Sequence, residues 1–69
     1  MKLSARNVWK GKVKTIIEGS VNDEVVIELP GGHEIVAMVT KSSVKGLGLG
    51  KGGDVYAIIK ASNVILGVD

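Results

Sequence analysis

Two stretches of this chain are apolar at every position across what reads as a strand: Ile35-Val36-Ala37-Met38-Val39 and Val55-Tyr56-Ala57-Ile58-Ile59. Side chains alternate faces along a strand, so a strand apolar on both faces has to be covered on both faces. A chain of 69 residues has little to cover them with, because a domain of that size buries only about 60% of the surface its unfolded form exposes. Small domains meet this shortfall with disulfides, a structural metal or oligomerisation. There is no cysteine, which removes disulfides and thiolate zinc sites, and the single His33 cannot build a metal cage alone. Assembly with further copies of the chain is what remains.

The other elements follow from periodicity. Val8 to Ile17 reads as a first strand, with Trp9, Gly11, Val13 and Thr15 on one face and Lys10, Lys12 and Lys14 on the other. Glu18-Gly19-Ser20 signals a turn. Val21 to Leu29 reads as a second strand, in which Val25, Ile27 and Leu29 alternate with Glu24, Val26 and Glu28. Pro30-Gly31-Gly32 closes a hairpin onto a third strand, Glu34 to Thr40. Thr40 to Leu47 is the one helix candidate, with Thr40 or Ser42 as N-cap and Gly46 or Gly48 as its end. A glycine-rich loop leads to a fourth strand, Asp54 to Lys60, and Ser62 to Gly67 reads as a short fifth. Three strands, a short helix and two more strands is the order of a five-stranded barrel of the OB type, here one all-β domain over residues 1–69.

Several functions fit poorly. Gly46-Leu47-Gly48-Leu49-Gly50-Lys51-Gly52-Gly53 lacks the hydroxyl residue and following helix of a phosphate loop, so it reads as a connection using positive-φ glycines. The lysine stripe of the first strand invites a nucleic-acid-binding OB module, which is the alternative reading. Such surfaces interleave charge with stacking aromatics, and this chain has one Trp, one Tyr and no Phe. Pairing of Lys10, Lys12 and Lys14 with Glu24 and Glu28 is the expected role of that stripe. Ser20, Ser42 and Ser43 have no evident base partner, so an enzyme is not expected. No secretory signal and no apolar run near 20 residues is visible, so a cytoplasmic protein with no membrane partner is expected.

What remains are two clusters of donors without an acid among them. Ser4-Ala5-Arg6-Asn7 lies near the start and Lys60-Ala61-Ser62-Asn63 near the end. Each combines a cation, a hydroxyl and an amide with small neighbours that leave the backbone approachable. Arg offers a planar fork of donors and Lys a compact charge. Hydroxyls and free backbone N–H groups complete the shell of a tetrahedral anion. The net charge of +2 has the right sign for anions.

These two clusters, with the Lys-rich strand after the first and Val55-Tyr56-Ala57-Ile58-Ile59-Lys60-Ala61-Ser62-Asn63-Val64 around the second, resemble the signature of the molbindins. These are the small molybdate-binding proteins of the Mop family, related to TOBE domains. Glu18-Gly19-Ser20-Val21 matches the Lys/Glu-Gly-Ser/Thr-Val element between them, with Glu18 where family members often carry lysine. The resemblance implies an OB-like fold assembled as a hexamer, a trimer of dimers with strands shared between subunits. It implies molybdate or tungstate as ligand, with no cofactor and no metal cation held directly, in intracellular storage or homeostasis. One oxyanion site would fall at a subunit interface, on Ser4, Ala5 and Arg6 of one subunit with Lys60, Ala61 and Ser62 of a neighbour. A second would fall on Gly19, Ser20 and Val21 near the threefold axis.

Overall fold

A computed structural model describes all 69 residues. Four strands, β1 (Asn7–Glu18), β2 (Asn22–Glu28), β3 (Glu34–Thr40) and β4 (Asp54–Ile59), form one curled antiparallel sheet in the order β3-β2-β1-β4. A six-residue helix, α1 (Lys41–Gly46), follows β3. The inward side chains of the three central pairings form the core: Val13, Val25, Ile27 and Ala57, ringed by Ile16, Ile35, Ala37, Val39, Val44, Leu49 and Val55. This core is aliphatic and small, as the composition requires.

The register of β1 explains the curl. Val13 pairs with Ile27 but Thr15 pairs with Val26, so Lys14 is an extra residue on the β1 side. Such a bulge bends its strand and sharpens the local twist. It also reverses the phase of β1. Gly11 and Val13 face inward before it, whereas Ile16 takes the inward position after it and Thr15 pairs beside outward Val26. Gly11 lets the strands close over the core, because a Cβ there would lie 2.6 Å from the Glu28 carbonyl oxygen.

The helix is capped as its sequence demands. Thr40 Oγ1 accepts the Ser43 backbone N–H at 3.1 Å, and the backbone turns to positive φ at Gly48, just past the Leu47 C-cap. The glycine loop is a connection, with Gly52 also at positive φ (84°). It extends the β1–β4 ladder, since Val13 N donates to Gly53 O at 2.9 Å and Gly52 N to Val13 O at 2.8 Å.

Two expectations change. The fifth strand at Ser62–Gly67 does not form within the chain: Ala61–Asn63 makes a 3-10 turn, and no strand follows it. A strand needs a ladder partner, and here Val64 is extended while Ile65 and Leu66 are 93% and 89% exposed with none. The lysines, too, find other partners. Lys12 Nζ bonds Asp54 Oδ1 at 2.6 Å and Lys14 pairs with Glu34, while Lys10 makes no ion pair. Strand neighbours decide this: Asp54 lies opposite Lys12 on β4, and the bulge carries Lys14 toward β3.

Each doubly apolar strand buries one face within the chain and leaves the other bare. Ile35, Ala37 and Val39 pack on the core, while Val36 and Met38 remain 60% and 65% exposed on the outer face. Tyr56 and Ile58 are exposed likewise on β4. No helix is long and apolar enough to cross a membrane.

Candidate functional site

β1 and β4 pair antiparallel, and Asn7 opposite Ile59 is the last rung of their ladder. The Asn7 side chain reinforces it, its amide nitrogen donating to the Ile59 carbonyl at 3.0 Å. The chain therefore enters the sheet just before Asn7 and leaves it just after Ile59 at the same place. Residues 4–6 and 60–62 come side by side, and together they line an open depression of about 380 Å³: Ser4, Ala5, Arg6, Lys60, Ala61 and Ser62.

The chemistry of this depression is one-sided. Neither Arg6 nor Lys60 forms an ion pair, unlike Lys12, Lys14 and Lys41. No carboxylate lines it. None of the six residues donates a backbone N–H to a backbone carbonyl, and their hydroxyls have no hydrogen-bond partner. The 3-10 turn explains part of this. Asn63 and Val64 donate back to Lys60 and Ala61 at 2.8 and 3.3 Å, which leaves the N–H groups ahead of them free. Two unpaired cations, two hydroxyls and free amides converging on one opening suit a small oxyanion.

All six residues named from the sequence meet here. The arrangement differs from the expected one in one respect, for both triplets border the same depression of a single chain. The Asn7–Ile59 rung is the cause, since it fixes the two segments to each other within the fold.

Gly19, Ser20 and Val21 lie at the far end of β1, in the exposed turn to β2. The turn is held by Asp23, the only buried charged residue (3% exposed). Its carboxylate accepts the Gly19 N–H at 3.2 Å and the Lys41 ammonium at 3.0 Å. Lys41 also lies 3.7 Å from Glu18, and its backbone N–H donates to Val21 O at 3.1 Å. The hydrogen bond from Lys41 holds the Asp23 carboxyl below its ordinary pKa, with the Gly19 N–H adding to this and burial opposing it. The same hydrogen bond raises Lys41. This clamp was not among the residues singled out from sequence, although the alternation Asp23, Val25, Ile27 places Asp23 on the inward face.

A second depression, about 400 Å³, lies between the middle of β1, the end of β2 and the start of β4 and is lined by Lys10, Gly11, Lys12, Glu28, Leu29, Pro30 and Asp54. Its two acids, Glu28 and Asp54, balance Lys10 and Lys12, and Asp54 is paired with Lys12. No group of three or more His, Cys, Asp or Glu side chains could hold a metal ion.

The fold and its donor-lined edge define a class, and the comparisons agree on it. The TOBE-domain family profile matches residues 3–66, and the chain belongs to that family, alongside its Mop-type molybdenum-binding members. A Haemophilus influenzae relative, named probable molybdenum-pterin-binding protein, is 49% identical over 69 residues and is covered along its whole length, as is this chain. Among solved structures, the cytoplasmic molybdate-binding protein ModG with molybdate bound superposes at a TM-score of 0.96 with 58% identity, covering all of this chain and 49% of that one. MopII from Clostridium pasteurianum, in an apo form, superposes at 0.91 with 37% identity, covering 97% of this chain and all of that one.

Proposed function

We propose that this chain binds molybdate, as a non-catalytic oxyanion carrier in the cytoplasm, and that Ser4, Ala5, Arg6, Lys60, Ala61 and Ser62 form its principal site. One observation carries the assignment: two unpaired cations and a set of free donors share one opening with no acid in it. The names of the relatives supply the anion, since they bind molybdate or molybdenum-pterin. Tungstate, a tetrahedral dianion of the same charge and nearly the same size, unlike the smaller sulfate, is the expected substitute. Residues 1–69 act as one binding domain, in storage or homeostasis of the anion.

The assembly we infer is a homo-oligomer, a hexamer built as a trimer of dimers. Its support is the exposed outer face of Val36, Met38 and Ile58 and the unpaired tail around Ile65. The tail is the missing fifth strand, formed by pairing with a neighbouring copy, and the depression closes when that copy covers it. Gly19, Ser20 and Val21 form a second oxyanion site in the same assembly.

Each hydrogen bond to a charged group is worth about 1.5–3 kcal/mol. Arg6→Ala should therefore weaken molybdate binding about tenfold or more, measured by titration calorimetry on protein shown to be folded. Unchanged affinity in that variant overturns the site. Excess sulfate should leave the bound molybdate in place, because the selectivity rests on the pocket and not on screened long-range charge.

A further inference from the structure

We propose that Lys41 supplies the cation of the second oxyanion site and that Asp23 sets that site's affinity by holding Lys41 back. The inference rests on the reading of Gly19, Ser20 and Val21 as a second site.

The turn is short of positive charge. Glu18 occupies the position before Gly19, and Asp23 lies just beyond the turn. Lys41 is the one cation in contact with either acid, at 3.0 Å from Asp23 and 3.7 Å from Glu18, so the group of three carries one net negative charge. An anion entering the turn meets a lysine already committed. Lys41 is nonetheless placed for the task. Its backbone N–H holds Val21 O at 3.1 Å, which sets Lys41 alongside the turn from the first residue of α1. Its side chain is 36% exposed, so it can be reached from solvent.

The core does not need this arrangement. Asp23 stands inward on β2 in line with Val25 and Ile27, where an apolar side chain would fill the same space. Replacing a buried ion pair by apolar groups is often neutral or stabilising. The carboxylate instead fixes two things that an anion would use, the Gly19 N–H and the Lys41 ammonium. A dianion draws Lys41 toward the turn at the expense of the Asp23 contact, and this exchange keeps the second site weaker than the first.

The test is equilibrium dialysis against molybdate, read by elemental mass spectrometry, on the full chain and three variants checked for folding by circular dichroism. The wild type should show two classes of site. Asp23→Asn keeps an acceptor for the Gly19 N–H and frees Lys41, so the weaker class should tighten about tenfold, a change of the size set by one favourable charge contact. Glu18→Gln, at a side chain 79% exposed, leaves the buried pair intact and should tighten it by roughly threefold. Asp23→Asn combined with Lys41→Met removes the pair together and should abolish the weaker class while sparing the stronger one. A purely structural pair predicts an unchanged or loosened weaker class in Asp23→Asn and an intact one in the double variant, and either result overturns the proposal. A single class in the wild type overturns the second site itself, and the proposal with it.

Discussion

Asp23 sits where strand alternation reserves a place for an apolar side chain, and its consequences extend to acid stability. Its native pKa is depressed, chiefly by the hydrogen bond from Lys41. A carboxylate lowered on folding contributes stability that is present above its ordinary pKa, about 3.9, and is lost as pH falls through the native value. Thermal melts between about pH 2 and pH 5 should therefore decline less steeply for Asp23→Asn than for the wild type, with the paired Asp54 as the residual acid-sensitive group in both. Identical slopes would show that the clamp does not contribute. The inward position of Asp23 was legible from its spacing to Val25 and Ile27. Its partner was not, because Lys41 is 18 residues away and meets it only once β2 and β3 have paired. Arg6 and Lys60 were legible as donors for the opposite reason. Each carries its small neighbours and hydroxyl in its own local sequence, so the cluster is recognisable before anything folds.

Among the elements, the helix offers the cleanest test of local coding. Thr40 Oγ1 takes the Ser43 N–H and also bonds the Ser43 hydroxyl at 2.8 Å. Thr40→Ala should cost about 1 kcal/mol, seen as a lower midpoint in thermal or urea unfolding; a midpoint equal to the wild type would mean that packing of Val44 and Leu49 alone holds α1. Strand and helix positions were readable because alternation, caps and glycine punctuation are local signals. Two things were not. The bulge at Lys14 leaves no mark in a run where Lys, Val and Thr all suit a strand, yet it redirects Lys14 from β2 to Glu34 on β3. Val64-Ile65-Leu66 has strand composition, but composition cannot say whether the segment reaches an edge, and it leaves both free edges of the sheet, β3 and β4, unpaired.

At the scale of the molecule, β3 and β4 are open sheet edges and the outer face carries apolar side chains that nothing in the chain covers. Exposed edges and apolar patches of this kind invite pairing with other chains. Val36→Glu places a charge on that face without touching the core, so it should leave the circular dichroism unchanged and shift the mass by light scattering toward smaller species. A variant that keeps the wild-type mass places the interface elsewhere. One feature joins this scale to the first. The Asn7–Ile59 rung is where the ladder between β1 and β4 stops, and the donors of the principal site are those that one more rung would consume. Binding capacity is thus set against sheet length. A homologous chain whose β1 and β4 ran on for another pair of residues would be a better sheet and a poorer receptor, and the stopping point of the zipper is itself a heritable determinant of whether an anion is held.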